Sequence, residues 1–293
     1  ARRTPSQKKG HVMSTPDNND QVEFWSAAAG RKWAARQAEL DILMQPVLDG
    51  VLARAELTPK LRVLDIGCGA GAGCLAAANA VGDEGAVLGV DVSAPLLDLA
   101  RQRAAALPQV AFHHGDATEL ELEPAYDRLI SRFGVMFFAD PVLSFTRMAA
   151  QLSPGARLSF AAWGQISENP FFTLPARAAR ATIGVMPKSD PDAPGPFAFR
   201  DPERVVSILA AAGFADIACK VTQLDLTPAG TVDDLARQMC DIGPAGGAIT
   251  HFDANPDQVA ELRQTIADAL RPYAQNGPLR LPAEINFVTA TKP

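Results

Sequence analysis

Apolar residues between positions 22 and 55 recur with the spacing of an α-helix. Trp25, Trp33, Leu40 and Val47 lie on the periodic face, and Pro46 interrupts the pattern. The spacing therefore predicts two helices that cover the element that follows them.

From residue 61 onward, short apolar runs alternate with segments of helical length. The runs predict buried strands at 61–66, 86–90, 110–112, 128–130 and 156–162, and the segments between them predict helices at 72–81, 94–105 and 141–151. Strands that alternate with helices predict an α/β fold, with a Rossmann-like parallel sheet covered on both faces.

Two stretches beyond Trp163 interrupt this alternation. The first, at 164–200, is rich in Pro and Phe, and the second, at 228–276, has helical spacing around a glycine-rich centre. We interpret both as lid insertions. Between them a helix at 202–212 and a strand at 217–226 resume the core.

The remaining segments complete a single predicted domain over 21–293. Helices at 21–57 precede the sheet, and a final strand at 283–291 is expected at a sheet edge. Residues 1–20 are polar and basic, then rich in Asp and Asn, so we interpret them as a tail outside the fold.

Composition narrows the class of protein and its partners. The chain has 293 residues, of which 47% are hydrophobic and 20% charged, as in ordinary globular enzymes. A net charge of -6 disfavours nucleic acid as a partner, because phosphate backbones require a basic surface.

The cysteines and the lengths of the apolar runs bear on the compartment. Four cysteines without a CxxC pair are too few for a disulfide scaffold, so we expect reduced thiols. The sequence shows no apolar run of about 18 residues, so no membrane span is predicted. Together these features predict a soluble cytoplasmic protein; they do not predict its oligomeric state.

The candidate chemistry begins with a glycine-rich loop between the first predicted strand and its helix. Residues 65–71 read Asp-Ile-Gly-Cys-Gly-Ala-Gly. Glycines let a chain turn tightly and bring backbone N–H groups close to a ligand. The same spacing also satisfies the loose dinucleotide fingerprint, so an NAD(P)-dependent oxidoreductase is one alternative.

Acidic residues at three successive strand ends favour a different ligand. Asp65 adjoins the loop, where a carboxylate would repel a pyrophosphate and attract a cationic ligand. Asp91 ends the second strand, where it can accept hydrogen bonds from ribose hydroxyls. Asp116 follows the third strand at the same carboxyl edge of the sheet, where ligands of open α/β sheets bind.

The chain from about Trp25 to Trp163 resembles the class I S-adenosylmethionine (SAM)-dependent methyltransferases, especially the group near the ubiquinone and menaquinone biosynthesis enzymes. The resemblance rests on the 65–71 loop, Val90-Asp91-Val92, Gly115-Asp116-Ala117, the segment 131–138 (Ser-Arg-Phe-Gly-Val-Met-Phe-Phe) and Leu152-Ser153-Pro154-Gly155. It implies a seven-stranded, mostly parallel sheet whose last strand is antiparallel. It also implies that SAM is the cofactor and S-adenosylhomocysteine its product.

The resemblance also assigns cofactor contacts. Gly67, Gly69 and Gly71 would line the methionine part, with Asp65 and Cys68 in the same loop, and Asp91 would hold the ribose. Asp116 would meet the adenine amino group. The other implied contacts are Val92 and Ala117 beside the ring, and Ser131 and Phe133 beside the methionine end.

The acceptor is expected to be a small molecule. The Asp/Asn-Pro-Pro-aromatic motif of methyltransferases that act on nucleobase or amide nitrogens is absent, and Ser131-Arg132-Phe133-Gly134 stands in its place. An oxygen, carbon, sulfur or amine acceptor then remains open, with methyl transfer by in-line displacement and positioning as the main source of catalysis.

Several residues outside the motifs are candidates for the site. His251 is the first candidate base if the acceptor must lose a proton, ahead of His113 and His114. Trp25 and Trp33 are candidate aromatic walls over the sulfonium, with helix packing as the alternative. Arg132 is a candidate partner of a carboxylate. The residues predicted to form an apolar acceptor pocket are Phe171, Phe172, Met186, Phe197 and Phe199.

Two further alternatives stay open. One is a protein that binds SAM without methyl transfer, as a regulator or partner subunit, and the other is an enzyme that uses SAM in cyclisation or decarboxylation; the cofactor loop is compatible with each. The residues predict no metal site.

Overall fold

The computed structural model describes residues 18–122 and 125–293, without the side chain of Ala28. Most of the tail predicted at 1–20 lies outside these residues. Its last three positions correct the prediction, because Asn18 precedes the first helix and Asn19 and Asp20 begin it.

Three helices precede the sheet, rather than the two expected: α1 (Asn19–Ser26), α2 (Ala28–Ala35) and α3 (Gln37–Ala55). Pro46 lies inside α3 without ending it. A proline in a helix interior costs about 3 kcal/mol, but this helix buries a long apolar face against the sheet, formed by Leu40, Leu43, Met44, Val47, Leu48 and Val51. The breaks fall instead at Ala27 and Arg36.

The remaining elements confirm the alternation of strand and helix. In chain order they are β1 (Arg62–Ile66), α4 (Ala72–Val81), β2 (Ala86–Asp91), α5 (Ala94–Arg103), β3 (Val110–His114), β4 (Tyr126–Arg132), α6 (Pro141–Ala150), β5 (Leu152–Trp163), α7 (Pro170–Thr182), α8 (Pro202–Ala211), β6 (Ala215–Leu226), α9 (Val232–Asp241), α10 (Gly243–His251), α11 (Pro256–Leu270) and β7 (Leu281–Thr291).

The strands form one seven-stranded sheet in the order β3-β2-β1-β4-β5-β7-β6. The pairs from β3 to β5 are parallel, and β7 is antiparallel to both β5 and β6. The predicted fold class is therefore confirmed. The strand order reverses between β1 and β4, and open α/β sheets bind ligands at the carboxyl ends of the strands beside such a switch point.

The position of β7 differs from the prediction. It lies inside the sheet between β5 and β6, and β6 is the edge strand. The burial pattern gives the reason: residues 285–288 are all buried, as in a strand covered on both faces, whereas most side chains of β6 are partly or fully exposed.

The two segments predicted as insertions form one helical layer. α7 from the first segment packs against α10 and α11 from the second, and α9 packs against both of these. α9 and α11 each begin with a capping box, formed by Thr231 with Asp234 and by Asn255 with Gln258. α3 packs along the face of the sheet, mainly against β4 and β5.

Candidate active site

A cavity of about 470 Å³ opens at the carboxyl ends of β1 to β5. Its floor is the strand ends, one wall is formed by α1–α3, and the other is formed by α7, residues 194–196 and the start of α10. This volume lies within the range of small-ligand sites.

The loop after β1 forms the floor through its close approach to the β4 end. Gly67 has a φ of +66°, and a Cβ atom there would lie 2.6 Å from Cα of Gly134. Gly67 N donates to the carbonyl of Val90 at 2.9 Å, which ties the loop to β2. The glycine is therefore required by backbone conformation and by space, and it brings the loop under the cavity.

Asp91, the last residue of β2, is oriented by two backbone hydrogen bonds. Its Oδ2 accepts from Gly69 N at 2.7 Å and its Oδ1 from Ser93 N at 2.8 Å. Burial raises the pKa of this carboxyl, and the two hydrogen bonds partly offset the effect. Each oxygen retains a lone pair for a donor in the cavity.

Asp116 is held by a similar pair of contacts and joins α1 to the sheet. Its Oδ1 accepts from Thr118 N at 2.8 Å, and its Oδ2 accepts from the side-chain amide of Asn18 at 2.7 Å. The Asn18 side-chain oxygen accepts from Ala139 N at 2.8 Å. Asn18 thus connects the residues after β3 with those before α6, across one end of the cavity.

Asp65 is almost fully buried beside the loop, with 3% of its surface exposed. Burial raises the pKa of this carboxyl to about 7, against opposing effects from a Cys74 thiol that donates at 3.3 Å and from the positive charge of Arg132. Close approach of the helix requires Gly73, since a Cβ atom there would lie 2.4 Å from Oδ2 of Asp65. Near neutral pH this carboxyl changes its charge readily.

Aromatic rings form the wall on the β4–β5 side. Phe133 follows β4 in the left-handed region, with φ +65°, and its ring stacks on Trp163 at 4.4 Å between centroids. Phe171 stacks on the same indole at 6.1 Å, and Phe172 meets it edge-on at 4.9 Å. Left-handed backbone at a non-glycine residue is uncommon and clusters at functional sites.

Trp25 and Trp33 form the opposite wall with Phe137. Trp25 meets both neighbours edge-on at 5.5 Å. Two hydrogen bonds join this wall to the residues just after β2: Ser26 Oγ donates to the carbonyl of Val92 at 2.9 Å, and Ser93 Oγ donates to that of Trp25 at 2.8 Å.

A charged cluster lies where α3 meets the loop. The Asp41 carboxylate accepts from Arg103 at 2.7 Å, from Arg132 at 3.4 Å and from the Gln37 amide at 2.5 Å. Arg103 also donates to the carbonyl of Ala70 at 2.6 Å. Asp41 and Arg132 both line the cavity.

Most of the residues predicted to contact a cofactor line this one cavity, namely Trp25, Trp33, Asp65, Gly67, Cys68, Gly69, Asp91, Val92, Asp116, Ala117 and Phe133. Two do not. The Ser131 hydroxyl is buried between the carbonyl of Ile66 and the N–H of Gly134, so it braces two loops rather than facing the cavity. Gly71 precedes α4 and packs towards Ala100 and Phe112.

The histidines named as candidate general bases do not line the cavity. His251 is exposed at the end of α10 against the ring of Phe252, outside the cavity lining. His113 and His114 are exposed as well, and His114 contacts the carbonyl of Val92. The geometry therefore gives His251 no role as a base in this cavity.

The predicted apolar pocket is realised in part. Phe171 and Phe172 line the cavity, and Phe197 packs edge-on against Phe172. Phe199 instead stacks in the core on Phe145, and Met186 is exposed. The core packing of Phe199 corrects the expectation that it faces the cavity.

Sequence reasoning did not find the polar residues that the helices bring to the site: Asn18, Gln21, Gln37 and Asp41. None of them belongs to a motif, and Asn18 was assigned to the tail. The one available signal was helical spacing, which places Gln37, Asp41 and Met44 on one face of α3.

A family model described as "Methyltransferase domain" matches residues 63–155, which run from β1 into β5. This stretch of the chain is similar to methyltransferase domains. The floor of the cavity belongs to this domain, whereas both walls are contributed largely by residues outside the match.

A curated relative of this methyltransferase domain is demethylmenaquinone methyltransferase of Staphylococcus aureus, 33% identical over 96 residues. The match covers 32% of this chain and 40% of the relative. The chain thus spans about two fifths of the length of the curated relatives it matches.

Solved structures share the fold over most of the chain. Phosphoethanolamine N-methyltransferase 2 of Haemonchus contortus, solved with S-adenosyl-L-methionine, superposes with a TM-score of 0.56 at 20% identity and covers 93% of this chain and 60% of that one. The [4+2]-cyclase SpnF superposes with a TM-score of 0.55 at 18% identity, and the match covers 90% of this chain and 95% of that one. At this identity the likeness shows the fold alone.

No helix within the described ranges combines the length and the apolar character needed to cross a membrane.

Proposed function

We propose that the chain binds SAM in the cavity and transfers its methyl group to a small-molecule acceptor. The observation that carries the proposal is that Asp65, Asp91 and Asp116, from three successive strand ends, share one cavity with a wall of stacked aromatic rings. The S. aureus relative named above supports it, since it is named as a methyltransferase.

The acids fit the adenosine part of the cofactor. The free lone pairs of Asp91 accept hydrogen bonds from ribose hydroxyls, while its backbone contacts keep the carboxylate oriented. Asp116 accepts from the adenine amino group, alongside or in place of Asn18. Asp65 and the glycine loop face the methionine end, where an ionised carboxylate stabilises the ammonium group.

The aromatic wall fits an apolar acceptor. When bound, SAM would supply an electrophilic methyl group to a nucleophile held in line with the S–CH3 bond, with S-adenosylhomocysteine as the leaving group. Phe133, Trp163 and Phe172 exclude water from that line and position the acceptor. Among the described residues that line the cavity there is no His, Lys or Tyr, and its four carboxylates, Asp41, Asp65, Asp91 and Asp116, each already accept a hydrogen bond within the protein. We therefore assign catalysis to positioning rather than to a dedicated base.

The name of the S. aureus relative contains a quinone, demethylmenaquinone, which is consistent with an apolar ring-bearing acceptor. The match to that relative covers only a third of this chain. We therefore extend the proposal to the chemical class of the acceptor and not to its identity.

A second candidate function is SAM binding without methyl transfer. A protein described as a [4+2]-cyclase shares the fold over 90% of this chain. Fold does not distinguish the two, because chemistry depends on the acceptor side of the cavity.

The test is calorimetric titration with SAM, S-adenosylhomocysteine and NADH in parallel, followed by an acceptor screen that detects the methylated product by mass. We expect micromolar binding of the first two ligands and none of NADH. Binding of NADH alone would overturn the proposal in favour of an oxidoreductase. SAM binding without turnover of apolar phenols, quinols, thiols or amines would favour the second candidate.

A further inference from the structure

One ion pair joins helices α1–α3 to the helical layer of α7 and α9–α11. Arg36, between α2 and α3, donates through Nε to Oδ2 of Asp241 at 2.9 Å, and through Nη2 to the same oxygen. Asp241 is the last residue of α9. Of the ion pairs between residues of 18–122 and 125–293, this is the one that connects these two parts of the molecule.

The pair lies at the rim of the cavity. Gln37, which follows Arg36, lines the cavity. Ile242 and Gly243, which follow Asp241, line it on the opposite wall. Both charged side chains also reach solvent, with 23% of Arg36 and 42% of Asp241 exposed. The ion pair therefore spans from one wall to the other where the cavity borders on solvent.

Both partners adjoin breaks between helices. Arg36 has φ −105° and ψ 10°, which separates α2 from α3. On the other side, Ile242 is extended, with φ −130° and ψ 162°, and Gly243 follows with φ +69°. Helices α1 and α2 have eight residues each, and α1 has no buried residue among those described. Backbone rotation at either break separates the partners of the ion pair.

A second carboxylate keeps the guanidinium in place. Arg36 Nη1 lies 3.2 Å from both carboxylate oxygens of Glu39, one turn further along α3. Because Glu39 belongs to the same helix as Arg36, it holds the side chain while Asp241 is apart, so the pair re-forms without ordering Arg36 anew. An exposed ion pair contributes little to stability, which suits a contact that opens and closes repeatedly.

We propose that the Arg36–Asp241 pair is a latch over the entrance of the cavity, which opens when a ligand enters or leaves and closes again behind it. The inference rests on the proposed binding of the cofactor in this cavity. It assigns the route of the ligand to the side where the start of α3 meets the junction of α9 and α10. Because the latch closes over the free and the occupied cavity alike, it acts on the rates of passage and not on the affinity.

The experiment exchanges the charges of the pair. The variants are Arg36→Glu, Asp241→Arg and the double variant with both substitutions, in which the ion pair forms with reversed polarity. Arg237→Glu is the matched control, because it reverses one charge on the same helix as Asp241, where Arg237 pairs with Asp234.

Two measurements are made on each variant. Stopped-flow tryptophan fluorescence gives the rate constants for association and dissociation of S-adenosylhomocysteine, since all three tryptophans line the cavity. Quenching of the same fluorescence by acrylamide, without any ligand, reports how readily a small solute enters the cavity.

We expect Arg36→Glu to raise both rate constants by about threefold to tenfold, because loss of an exposed ion pair is joined by repulsion between two carboxylates. The dissociation constant should stay within about twofold of that of the unmodified chain, since both rate constants rise together. Acrylamide quenching should increase in Arg36→Glu. The double variant should return the rate constants and the quenching to those of the unmodified chain, and Arg237→Glu should change neither.

Equal rate constants and equal quenching in Arg36→Glu and Arg237→Glu overturn the latch while leaving the proposed function intact. Failure of the double variant to regain the slower rates also overturns it, because Arg36→Glu then acts through a disturbance of the fold and not through the charge pair. If the unmodified chain does not bind S-adenosylhomocysteine at all, the proposed function is overturned, and the quenching comparison decides the latch by itself.

Discussion

The buried Asp65 carboxyl makes cofactor affinity depend on pH, if the cofactor's ammonium binds beside it. Burial raises the pKa of this group to about 7, with the Cys74 thiol and the charge of Arg132 acting in the opposite direction. An ammonium group at this position favours the ionised carboxylate, so binding lowers the pKa and releases a proton. Affinity is therefore greatest well above pH 7 and falls as the pH drops through 7.

The size of the effect follows from the fraction of ionised Asp65 in the free protein. With a free pKa of about 7 and a carboxyl held ionised by the bound cofactor over this range, the dissociation constant rises by a factor of about 2 at pH 7 and about 10 at pH 6, relative to pH 8. The second factor corresponds to about 1.4 kcal/mol.

The assay is calorimetric titration with S-adenosylhomocysteine between pH 6 and pH 8, in buffers of different ionisation enthalpy, so that the proton release is counted directly. Asp65→Asn provides the control: it should bind more weakly at pH 8 and show no change of affinity over this range. A flat pH profile in the unmodified chain, or an equal slope in Asp65→Asn, would refute the reasoning.

Three further predictions follow from the geometry. Asp91→Ala removes the ribose acceptor and should weaken S-adenosylhomocysteine binding by roughly 2 to 3 kcal/mol by calorimetry; unchanged affinity would contradict the site assignment. Gly67→Ala should lower the free energy of unfolding, measured in urea, by about 2 kcal/mol or more, because it places a Cβ in the left-handed region against Gly134. An unchanged midpoint of urea unfolding would count against the loop geometry. All three tryptophans of the chain, Trp25, Trp33 and Trp163, line the cavity, so cofactor binding should change the intrinsic fluorescence; constant emission during calorimetrically detected binding would place the ligand elsewhere.

The parts of the fold that the sequence made predictable are those governed by local patterns. The glycine loop and the strand ends at Asp65, Asp91 and Asp116 lie in short segments whose spacing is determined by a strand, a turn and a helix. The parallel order of those strands then brings their ends together, so the floor of the cavity follows from the pattern.

The walls could not be predicted in the same way, because long-range packing decides them. Pro46 is tolerated inside α3 only because the helix is buried along its length. Asn18 joins the site through hydrogen bonds to residues about 100 and 120 positions away. Phe172 and Phe199 lie in the same aromatic-rich segment, yet one faces the cavity and the other the core.

The placement of β7 between β5 and β6 has a consequence for the order of events during synthesis. In the described part of the chain β6 pairs only with β7, so β6 leaves the ribosome about 55 residues before its hydrogen-bonding partner exists. We expect β1 to β5 to associate first, which leaves the edge of β5 without a neighbouring strand. The segment from β6 through α11 can complete the sheet only after β7 has been synthesised and has paired with β5. While the chain between β5 and β7 is being synthesised, the unpaired edge of β5 is exposed. We expect mispairing of strands, or binding of a chaperone, at this stage.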